Sequence, residues 1–561
     1  MSHAVSVDHG LGGDRPGPLL RRGSRSSFTA DEIEHEAGED WLKFYVNPFS
    51  GMGEAMLTEP VQLSQESLKK LPANIVKPMY ERPLGDPAFV ENFICHLGVG
   101  GFHRSHEAVY TDDLLNSGMQ PRWAICGMGL MEWDAKMYLT LKSQDYLYTL
   151  LSRGHNQQQA RVIGSIVDFV HAPEGHAAAI ARLAHPSTKI VSLTVTEKGY
   201  CQDVAGNLDT AHNAFVKADL EGDLQRPKTA IGMVVAALRA RRLAGTPSFT
   251  VLSCDNLPEN GDKAKHVVLQ MAGLVDPDLR RWVEGNTTFP NTMVDRITPV
   301  TEQEHIDILA RDYMVRDGWP VIAEDFSQWV VEDNFCFGCP DWDQVGALLV
   351  KDVRPYEFMK LRLLNGGHSA LSFMGLMCGY HYVDDAMADP SICSFVQAFF
   401  GEVERTLRPV PGVDLSAYQR KLVERFSNPY IKDKLARLAE DGSQKVLNTM
   451  RDAIAELTKQ GQPTTVLALA NAAFVRYMVG EDEDGLLFTI KDPQATRLGE
   501  LAREATADKE NPGPEKFLQA IFGAEITALE HFVKQVRDHL RRILKQGTKA
   551  ALEETIAALG N

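Results

Sequence analysis

The amino-acid sequence has no apolar run that approaches the roughly 20 residues needed to cross a bilayer. It also does not open with the basic, apolar and small-residue order of a secretory signal peptide. Both features argue against a membrane protein or a secreted one. We therefore expect a cytoplasmic protein without a membrane partner.

Cysteines and clustered basic residues are also scarce. Eight cysteines among 561 residues fit free thiols in a reducing compartment better than a disulfide framework, so we expect no disulfide bonds. The 58 lysines and arginines are outnumbered by 75 acidic residues, which gives a formal net charge of −17. The basic residues cluster only in short runs such as 239–242 and 541–542. Nucleic acid is therefore not an expected partner.

Apolar residues make up 44 % of the chain, and a chain of this length is expected to form two domains. Residues 1–56 are predicted to be a flexible N-terminal extension. Glycine, proline, arginine and serine dominate residues 10–27 and acidic residues dominate 31–40, and neither composition can build a core. The arginines among serines resemble an organellar transit peptide, but the acidic residues argue against that interpretation.

The first strong pattern is an apolar strand at residues 92–97 that runs through Gly98, Gly100 and Gly101 into a helix. Glycines at such a turn let backbone N–H groups approach a pyrophosphate at the positive end of a helix. His103 stands where the six-residue dinucleotide pattern has its third glycine. A plain, tight strand-to-helix turn is therefore the alternative interpretation.

A metal site is not expected. The His-x-x-His-Glu order at residues 103–107 matches neither of the zinc-protease orders. Cys336 and Cys339 have metal-binding spacing, but no second Cys or His pair follows at the spacing of a structural zinc site.

Acidic residues follow the second predicted strand, at residues 123–127. Glu132 and Asp134 stand roughly where a Rossmann domain binds the adenosine ribose. An acid at that place accepts hydrogen bonds from a free 2′-hydroxyl and repels a 2′-phosphate, which favours NAD over NADP. As plain surface charges, the two acids would indicate nothing about the coenzyme.

The order of predicted elements indicates an α/β protein. Strands and helices alternate through residues 57–288, which predicts a Rossmann-type, mostly parallel sheet domain that binds NAD. From residue 389 onward the amphipathic patterns are almost wholly helical. We therefore predict a mainly α-helical, substrate-binding and catalytic C-terminal domain at residues 289–561.

A buried helix is predicted at residues 355–370. Glu357, Lys360, Asn365 and His368 fall within an arc of roughly 140° on this helix. Burial lowers the pKa of a lysine, which would make Lys360 a general base near neutral pH. Two adjacent glycines in the helix indicate close approach by a backbone or a ligand. The alternative is a core helix whose lysine reaches solvent and whose other polar groups bind nearby backbone.

Four segments together resemble the mannitol dehydrogenase family of polyol-specific long-chain dehydrogenases/reductases. They are Gly-Val-Gly-Gly-Phe-His-Arg at 98–104, Ser-Cys-Asp-Asn at 253–256, Met-Val-Asp-Arg-Ile-Thr-Pro at 293–299 and Lys-Leu-Arg-Leu-Leu-Asn-Gly-Gly-His-Ser at 360–369. The resemblance runs in order from about residue 57 to the end of the chain, and its most specific part is the Lys-x4-Asn-x2-His pattern.

The resemblance implies a role for each matching residue. The implied catalytic residues are Lys360 as acid and base, Asn256 and Asn365 as oxyanion-binding groups and His368 as the group that orients the substrate. The implied substrate-binding residues are Asp295, Arg437, Lys445, Glu357 and Glu197, and Glu357 is also linked to proton exchange with water. The implied cofactor-binding residues are Gly98, Gly100, Gly101, Phe102, His103, Arg104, Glu132 and Asp134. Trp133 stands between the two acids, so the resemblance does not decide which of them meets the ribose.

The activity implied by the resemblance is reversible, NAD-dependent hydride transfer between D-mannitol and D-fructose, with a lysine acid/base and no metal. Family activities on a uronate, arabinitol or mannitol 1-phosphate share these motifs. The alternative from another class is a catalytically silent, nucleotide-sensing binding protein. The expected partner is a small polyol or ketose, and the expected state is a monomer or a weak homo-oligomer.

Overall fold

The computed structural model describes residues 59–82, 90–119, 122–155 and 157–559. The extension predicted at residues 1–56 lies outside these ranges. In the described part of the chain, no helix combines the length and the apolar character that a membrane span requires.

The described strands form four sheets. In chain order they are β1 (Val61–Gln62), β2 (Ile75–Val76), β3 (Asn92–Leu97), β4 (Trp123–Gly129), β5 (Tyr148–Arg153), β6 (Gln158–Ile163), β7 (Ile166–His171), β8 (Thr188–Leu193), β9 (Thr250–Ser253), β10 (Thr292–Asp295), β11 (Val315–Arg316), β12 (Val321–Glu324), β13 (Gln328–Glu332) and β14 (Leu348–Val350).

The largest described sheet has the strand order β7-β4-β3-β8-β9, and every neighbouring pair is parallel. Its strands are short apolar runs because helices cover both faces of such a sheet. The chain moves from β3 through β4 to β7 on one side, and then returns to β8 and β9 on the other. Ligands of open parallel sheets bind beyond the carboxyl ends of the strands at this reversal. The predicted Rossmann-type sheet is thereby confirmed.

Three smaller sheets complete the described strands, in the orders β12-β5-β6-β2, β10-β13-β14 and β1-β11. β12 runs parallel to β5, and β10 runs antiparallel to β13. β10 ends at Asp295 and β12 ends at Glu324, and both carboxylates are buried. These sheets therefore bring two acids to the interior of the protein.

Helices alternate with the strands in the N-terminal half. They are α1 (Gly101–Ser105), α2 (Glu107–Ser117), α3 (Ala135–Ser143), α4 (His176–Ala184), α5 (Thr196–Gly199), α6 (Ala214–Glu221), α7 (Ala230–Ala244), α8 (Asn260–Val275), α9 (Pro277–Asn286) and α10 (Gln303–Asp312).

The C-terminal half is mainly helical, as predicted. Its helices are α11 (Arg354–Lys360), α12 (Gly366–Met377), α13 (Val383–Met387), α14 (Pro390–Glu404), α15 (Leu415–Phe426), α16 (Leu435–Ala439), α17 (Gly442–Lys459), α18 (Thr465–Tyr477), α19 (Ala495–Thr506), α20 (Glu515–Phe522), α21 (Ala524–Thr527), α22 (Glu530–Gln546) and α23 (Thr548–Leu559). α12 packs against α14, α16, α17 and α18. It is therefore the central helix of this half, and the domain boundary at residue 288 stays a prediction.

One continuous helical segment carries the predicted catalytic stretch. α11 passes into a π turn (Leu361–Asn365) and then into α12 without a break. Single π turns within α-helices occur frequently at functional sites. A Cβ atom on Gly366 would lie 3.2 Å from the Phe399 ring, and one on Gly367 would lie 2.6 Å from the Phe400 ring. The predicted close approach is therefore made by two phenylalanine rings of α14 rather than by a backbone or a ligand.

Candidate active site

The amine of Lys360 is held at the end of α11, where the residue is only 6 % exposed. Its Nζ donates a hydrogen bond to Oδ1 of Asn256 at 2.5 Å and another to the Val294 carbonyl at 2.7 Å. Burial lowers the pKa of Lys360, Asp295 raises it, and Arg425 lowers it further. The net pKa lies below the usual lysine value, which is the direction that a general base requires.

Asn365 and His368 lie further along the same helical segment, and both side chains are partly buried. The imidazole of His368 stacks on the Phe426 ring, with centroids 4.2 Å apart and planes 22° apart. Burial lowers the pKa of His368 to about 3. The ring is therefore neutral near pH 7, with one nitrogen that donates a hydrogen bond and one that accepts.

Asp295 is bound from one side by a buried arginine. Its two oxygens accept hydrogen bonds from Nη1 and Nη2 of Arg425 at 2.8 and 3.0 Å. Arg425 also donates to both oxygens of Glu324, each at 2.8 Å. Burial alone would raise the pKa of Asp295, but the guanidinium charge outweighs it and the net pKa is lowered. Asp295 is therefore ionised near neutral pH.

Glu357 lies one helical turn before Lys360 on α11 and is partly buried. Its Oε1 accepts the backbone N–H of Glu259 at 3.1 Å. Burial raises the pKa of Glu357 to about 7. The carboxyl group can therefore take up or release a proton near neutral pH.

The two cations that the family resemblance assigns to the distal end of the substrate are both engaged by protein groups. Nε of Arg437 donates to Asp433 at 2.7 Å, and Nη2 bonds the other carboxylate oxygen. Nζ of Lys445 donates to the Leu438 carbonyl at 3.0 Å. The charges of Asp433 and Arg437 both act on the pKa of His368, which places this ion pair near the His368 end of the site.

The loop after β3 lies at the reversal of the strand order. Gly98 has φ +92°, and a Cβ atom there would lie 2.3 Å from the carbonyl oxygen of Thr194, which follows β8. Only glycine fits such a position. The N–H of Gly100 bonds the Gly98 carbonyl at 2.7 Å, and α1 begins at Gly101. The result is a tight loop of the kind that lets backbone approach a pyrophosphate.

His103 belongs to a buried cluster beside this loop. Its ring stacks on His96 with centroids 3.4 Å apart, and Nδ1 of each ring lies 3.0–3.1 Å from one oxygen of Glu107. The three side chains are close enough for a metal ion to be considered. Nδ1 of each ring is engaged by the same oxygen of Glu107, and the expectation of no metal stays a prediction. Nε2 of His96 lies 3.2 Å from the Gly98 carbonyl, which links the cluster to the loop.

Phe102 and Arg104 contact the protein around α1. Nη1 of Arg104 donates to the Trp319 carbonyl at 2.5 Å, and its guanidinium lies 5.2 Å from the centroid of the Tyr148 ring. Phe102 stacks on His106 with centroids 4.8 Å apart. These contacts fix α1 against its neighbours, and the predicted cofactor contacts of both residues stay predictions.

The two acids after β4 have different environments. Oδ2 of Asp134 accepts the backbone N–H groups of Leu130 and Met131 at 2.9 and 3.0 Å, which closes the turn. Glu132 is exposed, and Trp133 beside it is 74 % exposed. Glu132 is therefore the more exposed of the two acids, and the cofactor contacts predicted for both stay predictions.

Glu197 lies in α5, just beyond the carboxyl end of β8, and is exposed. Asp255, next to Asn256 in the chain, accepts the backbone N–H groups of Val195 and Thr196 at 3.1 and 2.8 Å. These bonds connect the ends of β8 and β9. The structure thus brings Glu197 and Asn256 to the same edge of the sheet.

Arg425 and Glu324 were not among the predicted site residues. One signal could have indicated Arg425: it occupies the buried stripe of α15, together with Tyr418, Leu422 and Phe426. An arginine at an apolar-stripe position is rarely buried without a charged partner. Glu324 carries no comparable signal, since its partner comes from a distant helix.

Two family models match the chain. Residues 92–344 match the mannitol dehydrogenase Rossmann domain, and residues 352–544 match the mannitol dehydrogenase C-terminal domain. The two matches follow one another in the order in which the parallel sheet and the helical half occur.

Individual relatives agree with these matches. The chain is 38 % identical over 498 residues to mannitol 2-dehydrogenase of Phaeosphaeria nodorum, which covers 88 % of this chain and 85 % of that protein. It resembles the structure of Pseudomonas fluorescens mannitol 2-dehydrogenase in a ternary complex with NAD and D-mannitol. The TM-score is 0.76 and the sequence identity is 40 %, and the match covers 89 % of this chain and 100 % of that chain. It also resembles a D-sorbitol dehydrogenase in substrate-free form. Here the TM-score is 0.81 and the sequence identity is 36 %, and the match covers 87 % of this chain and 100 % of that chain.

Proposed function

The chain belongs to the mannitol dehydrogenase family, and we propose that it is an NAD-dependent mannitol 2-dehydrogenase that interconverts D-mannitol and D-fructose. The observation that carries this proposal is the buried amine of Lys360, fixed by Asn256 and the Val294 carbonyl beside a Rossmann-type sheet. The ligands of the solved Pseudomonas fluorescens relative support NAD and D-mannitol as the reactants.

The residues at the reversal of the sheet fit a dinucleotide. Gly98 lets the loop after β3 pack closely against the Thr194 backbone, which forms a tight loop of the kind that meets a pyrophosphate, and the exposed Glu132 is available to accept a hydrogen bond from a ribose 2′-hydroxyl. When bound there, NAD would supply the hydride acceptor for the alcohol carbon, and NADH would supply the hydride donor for the ketone. The loop residues proposed to hold it are Gly98, Gly100, Gly101, Phe102, His103 and Arg104.

The hydrogen bonds of Lys360 leave its lone pair for the substrate. A neutral amine has two N–H groups, and the bonds to Asn256 and Val294 use both. The remaining lone pair can take the proton of the substrate C2 hydroxyl as hydride leaves the carbon. In the reverse direction, the protonated amine has a third N–H group that can donate to the ketone oxygen. Lys360 is thus proposed as the base in oxidation and the acid in reduction, without a metal.

Two asparagines and a histidine are proposed to bind the reacting oxygen. Because Oδ1 of Asn256 accepts from Lys360, its amide N–H groups remain available for a developing oxyanion. Asn365 is proposed as the second donor, and a donor of this kind is worth about 2.7–4 kcal/mol in the transition state. His368, held by its stacking on Phe426, is proposed to orient the hydroxyl that faces Lys360.

The proton taken by Lys360 must reach water before the next turnover. Glu357 lies one turn away on the same helix, and its pKa of about 7 suits repeated protonation and release. We assign it the role of exchanging this proton with solvent.

The charges at the distal end support an uncharged substrate. Arg437 is paired with Asp433, and Nζ of Lys445 donates to the Leu438 carbonyl. Asp295 is ionised and would repel an anion. A uronate or a sugar phosphate would bring a second negative charge to Asp295 without a free cation to bind it. A polyol needs only hydrogen bonds from these groups.

D-Sorbitol is a second candidate substrate, because the solved D-sorbitol dehydrogenase has the TM-score of 0.81. D-Mannitol and D-sorbitol differ only in the configuration at C2, and oxidation of either at that carbon gives D-fructose. A site that discriminates between them must do so through the groups that bind the C2 hydroxyl, which are Lys360, Asn256 and Asn365 in this proposal.

The test is a comparison of kcat/KM values for single substrates. D-Mannitol and D-sorbitol are compared with NAD, and D-fructose, D-fructuronate and D-fructose 6-phosphate are compared with NADH. We expect D-mannitol to exceed D-sorbitol and D-fructose to exceed both anions, each by about tenfold or more. An anion that exceeds fructose would refute the assignment, and a preference for sorbitol would select the second candidate. Activity that disappears with EDTA and returns with zinc would refute the metal-free mechanism.

A further inference from the structure

Arg425 connects the helical half of the protein to two strand ends at the site. It extends from α15 and makes four hydrogen bonds, two to Asp295 at the end of β10 and two to Glu324 at the end of β12. Its guanidinium also lies 4.1 Å from the centroid of the Phe326 ring. Arg425, Asp295 and Glu324 are each at most 6 % exposed. A buried carboxylate pair is thus held together by one cation.

The same arginine is one of the charges that face Lys360. Asp295 from β10 and Arg425 from α15 act on the amine from other elements, and Glu357 acts from its own helix. Asp295 and Arg425 also act on His368, further along the same helical segment. If the guanidinium were absent, the carboxylate of Asp295 would face Lys360 without compensation, and a second carboxylate would lie beside it.

We propose that Arg425 is a positioning residue for the reaction: it fixes the carboxylate of Asp295 in one orientation toward the substrate, and it compensates the charge that would otherwise hold Lys360 in its protonated form. The inference rests on the proposed function, because it assigns Asp295 to the substrate and Lys360 to proton transfer.

The orienting task requires an arginine, whereas charge compensation requires only a cation. The planar guanidinium presents parallel N–H pairs, and these bind Asp295 through Nη1 and Nη2 and Glu324 through Nε and Nη2. A lysine at this position would keep the positive charge but could not form paired hydrogen bonds to both carboxylates in a fixed plane. The two tasks can therefore be separated by substitution.

The experiment measures kcat/KM for D-mannitol against pH in the wild type, Arg425→Met and Arg425→Lys. Removal of the charge favours protonated Lys360, so Arg425→Met should raise the pH of half-maximal activity by about one unit or more. Arg425→Lys should keep that pH near the wild-type value but raise KM, because the orientation of Asp295 is lost. In the double variant Arg425→Met, Asp295→Asn, the pH of half-maximal activity (the pH midpoint) should return toward the wild-type value.

Arg161→Met is the matched control, because Arg161 also bridges two carboxylates, Asp112 and Asp113, and is not among the charges that act on Lys360. It should lower stability without moving the pH midpoint. A midpoint that is unchanged in Arg425→Met, or that moves equally in Arg161→Met, overturns the inference. If Arg425→Met does not fold, the KM of Arg425→Lys for D-mannitol tests the inference. A KM equal to that of the wild type would contradict the orienting role.

A measurement that needs no substrate separates this inference from the proposed function. The pH dependence of covalent labelling of Lys360 by acetic anhydride, read by mass spectrometry, reports its protonation in each folded variant. The labelling midpoint should rise in Arg425→Met as the activity midpoint does. A wild type that is inactive on every polyol and ketose tested would refute the proposed function, whereas an unchanged labelling midpoint would refute the inference alone.

Discussion

Two neighbouring acids, Glu132 and Asp134, have different environments in this protein. The two acids are two positions apart, but Asp134 has two backbone N–H groups bound to one oxygen and Glu132 is exposed. In Asp134 one carboxylate oxygen is occupied by the turn, whereas the side chain of Glu132 faces solvent. The environment of each carboxylate thus distinguishes a structural acid from one that can select a ligand.

The coenzyme prediction follows from this difference. Glu132→Lys should remove repulsion of a 2′-phosphate and shift the ratio of kcat/KM values toward NADP by about tenfold or more, which corresponds to about 1.4 kcal/mol. Asp134→Ala is the comparison: it should lower the thermal midpoint and leave the coenzyme ratio nearly unchanged. A wild type that prefers NADP would show that neither acid faces the ribose.

The amine of Lys360 gives the second prediction at this scale. Lys360→Met keeps the length and apolar character of the side chain but removes the proton acceptor, so kcat should fall at least about 100-fold while NADH binding is nearly unchanged. NADH affinity is measured by fluorescence titration, and the exposed Lys265→Met serves as the control substitution. A kcat above one-tenth of the wild-type value would remove Lys360 from the role of general base.

Single residues could be predicted from the sequence when their partners are local. Lys360, Asn365 and His368 share one helix, so helical periodicity alone brings them together. Arg425 could not be predicted in this way, because Asp295 lies 130 residues and Glu324 lies 101 residues away along the chain. A pairing over such distances depends on the packing of strands against α15.

The element that positions the site is the helical segment made of α11, the π turn and α12. The sequence predicted a buried helix because apolar residues surround its axis, but a π turn leaves no distinct mark in that pattern. The adjacent glycines are visible in the sequence, but the reason for them is not. Their neighbours are Phe399 and Phe400 of α14, and only the packed structure identifies them.

The glycine contacts predict opposite effects for two similar substitutions. Gly367→Ala would place a Cβ atom 2.6 Å from the Phe400 ring, so the ring must move, and we expect a loss of about 1–3 kcal/mol in the free energy of unfolding. Gly401→Ala in α14 meets no atom within 4 Å and should stabilise the protein by about 0.5–1 kcal/mol. Urea denaturation of both variants tests this, and equal effects would contradict the packing explanation.

At the scale of the whole molecule, the parallel sheet could be predicted from the sequence, because alternating strands and helices indicate parallel strands joined by crossover helices. The strand pairings of the mixed sheets could not be predicted from the sequence. Val321 of β12 lies opposite Leu150 of β5, and the two short strands are separated by most of the N-terminal half. Short strands with distant partners carry too little local pattern to define their neighbours.

The whole molecule should lose stability as the pH falls below neutral. Burial lowers the pKa of four histidines, to about 3 in His103 and His368 and to about 4 in His106 and His539. In the unfolded chain they titrate near 6.5, so between about pH 4 and 6.5 the unfolded state binds more protons and stability falls with falling pH. Glu357 and Glu402, whose pKa values burial raises to about 7, act in the opposite direction between about pH 4.5 and 7.

The four histidines outnumber the two carboxyls, so we expect the unfolded state to bind more protons near pH 5.5 and the free energy of unfolding to fall as the pH is lowered. The free energy of unfolding from urea titrations at several pH values measures this slope. His539→Phe, remote from the active site in α22, should reduce the slope by about one proton. A stability that is constant or rises between pH 6.5 and 5 would contradict the assignment.

The bonds of Arg425 also restrict how the protein can move. A hinge motion that separated the helical half from the strands would have to break four charge-assisted hydrogen bonds and would leave the buried carboxylates of Asp295 and Glu324 without Arg425. Enzymes that close around their ligands do so at hinges with few such contacts. Here we expect coenzyme and substrate to bind while the helical half and the strands stay docked, without an opening and closing of the two in each turnover.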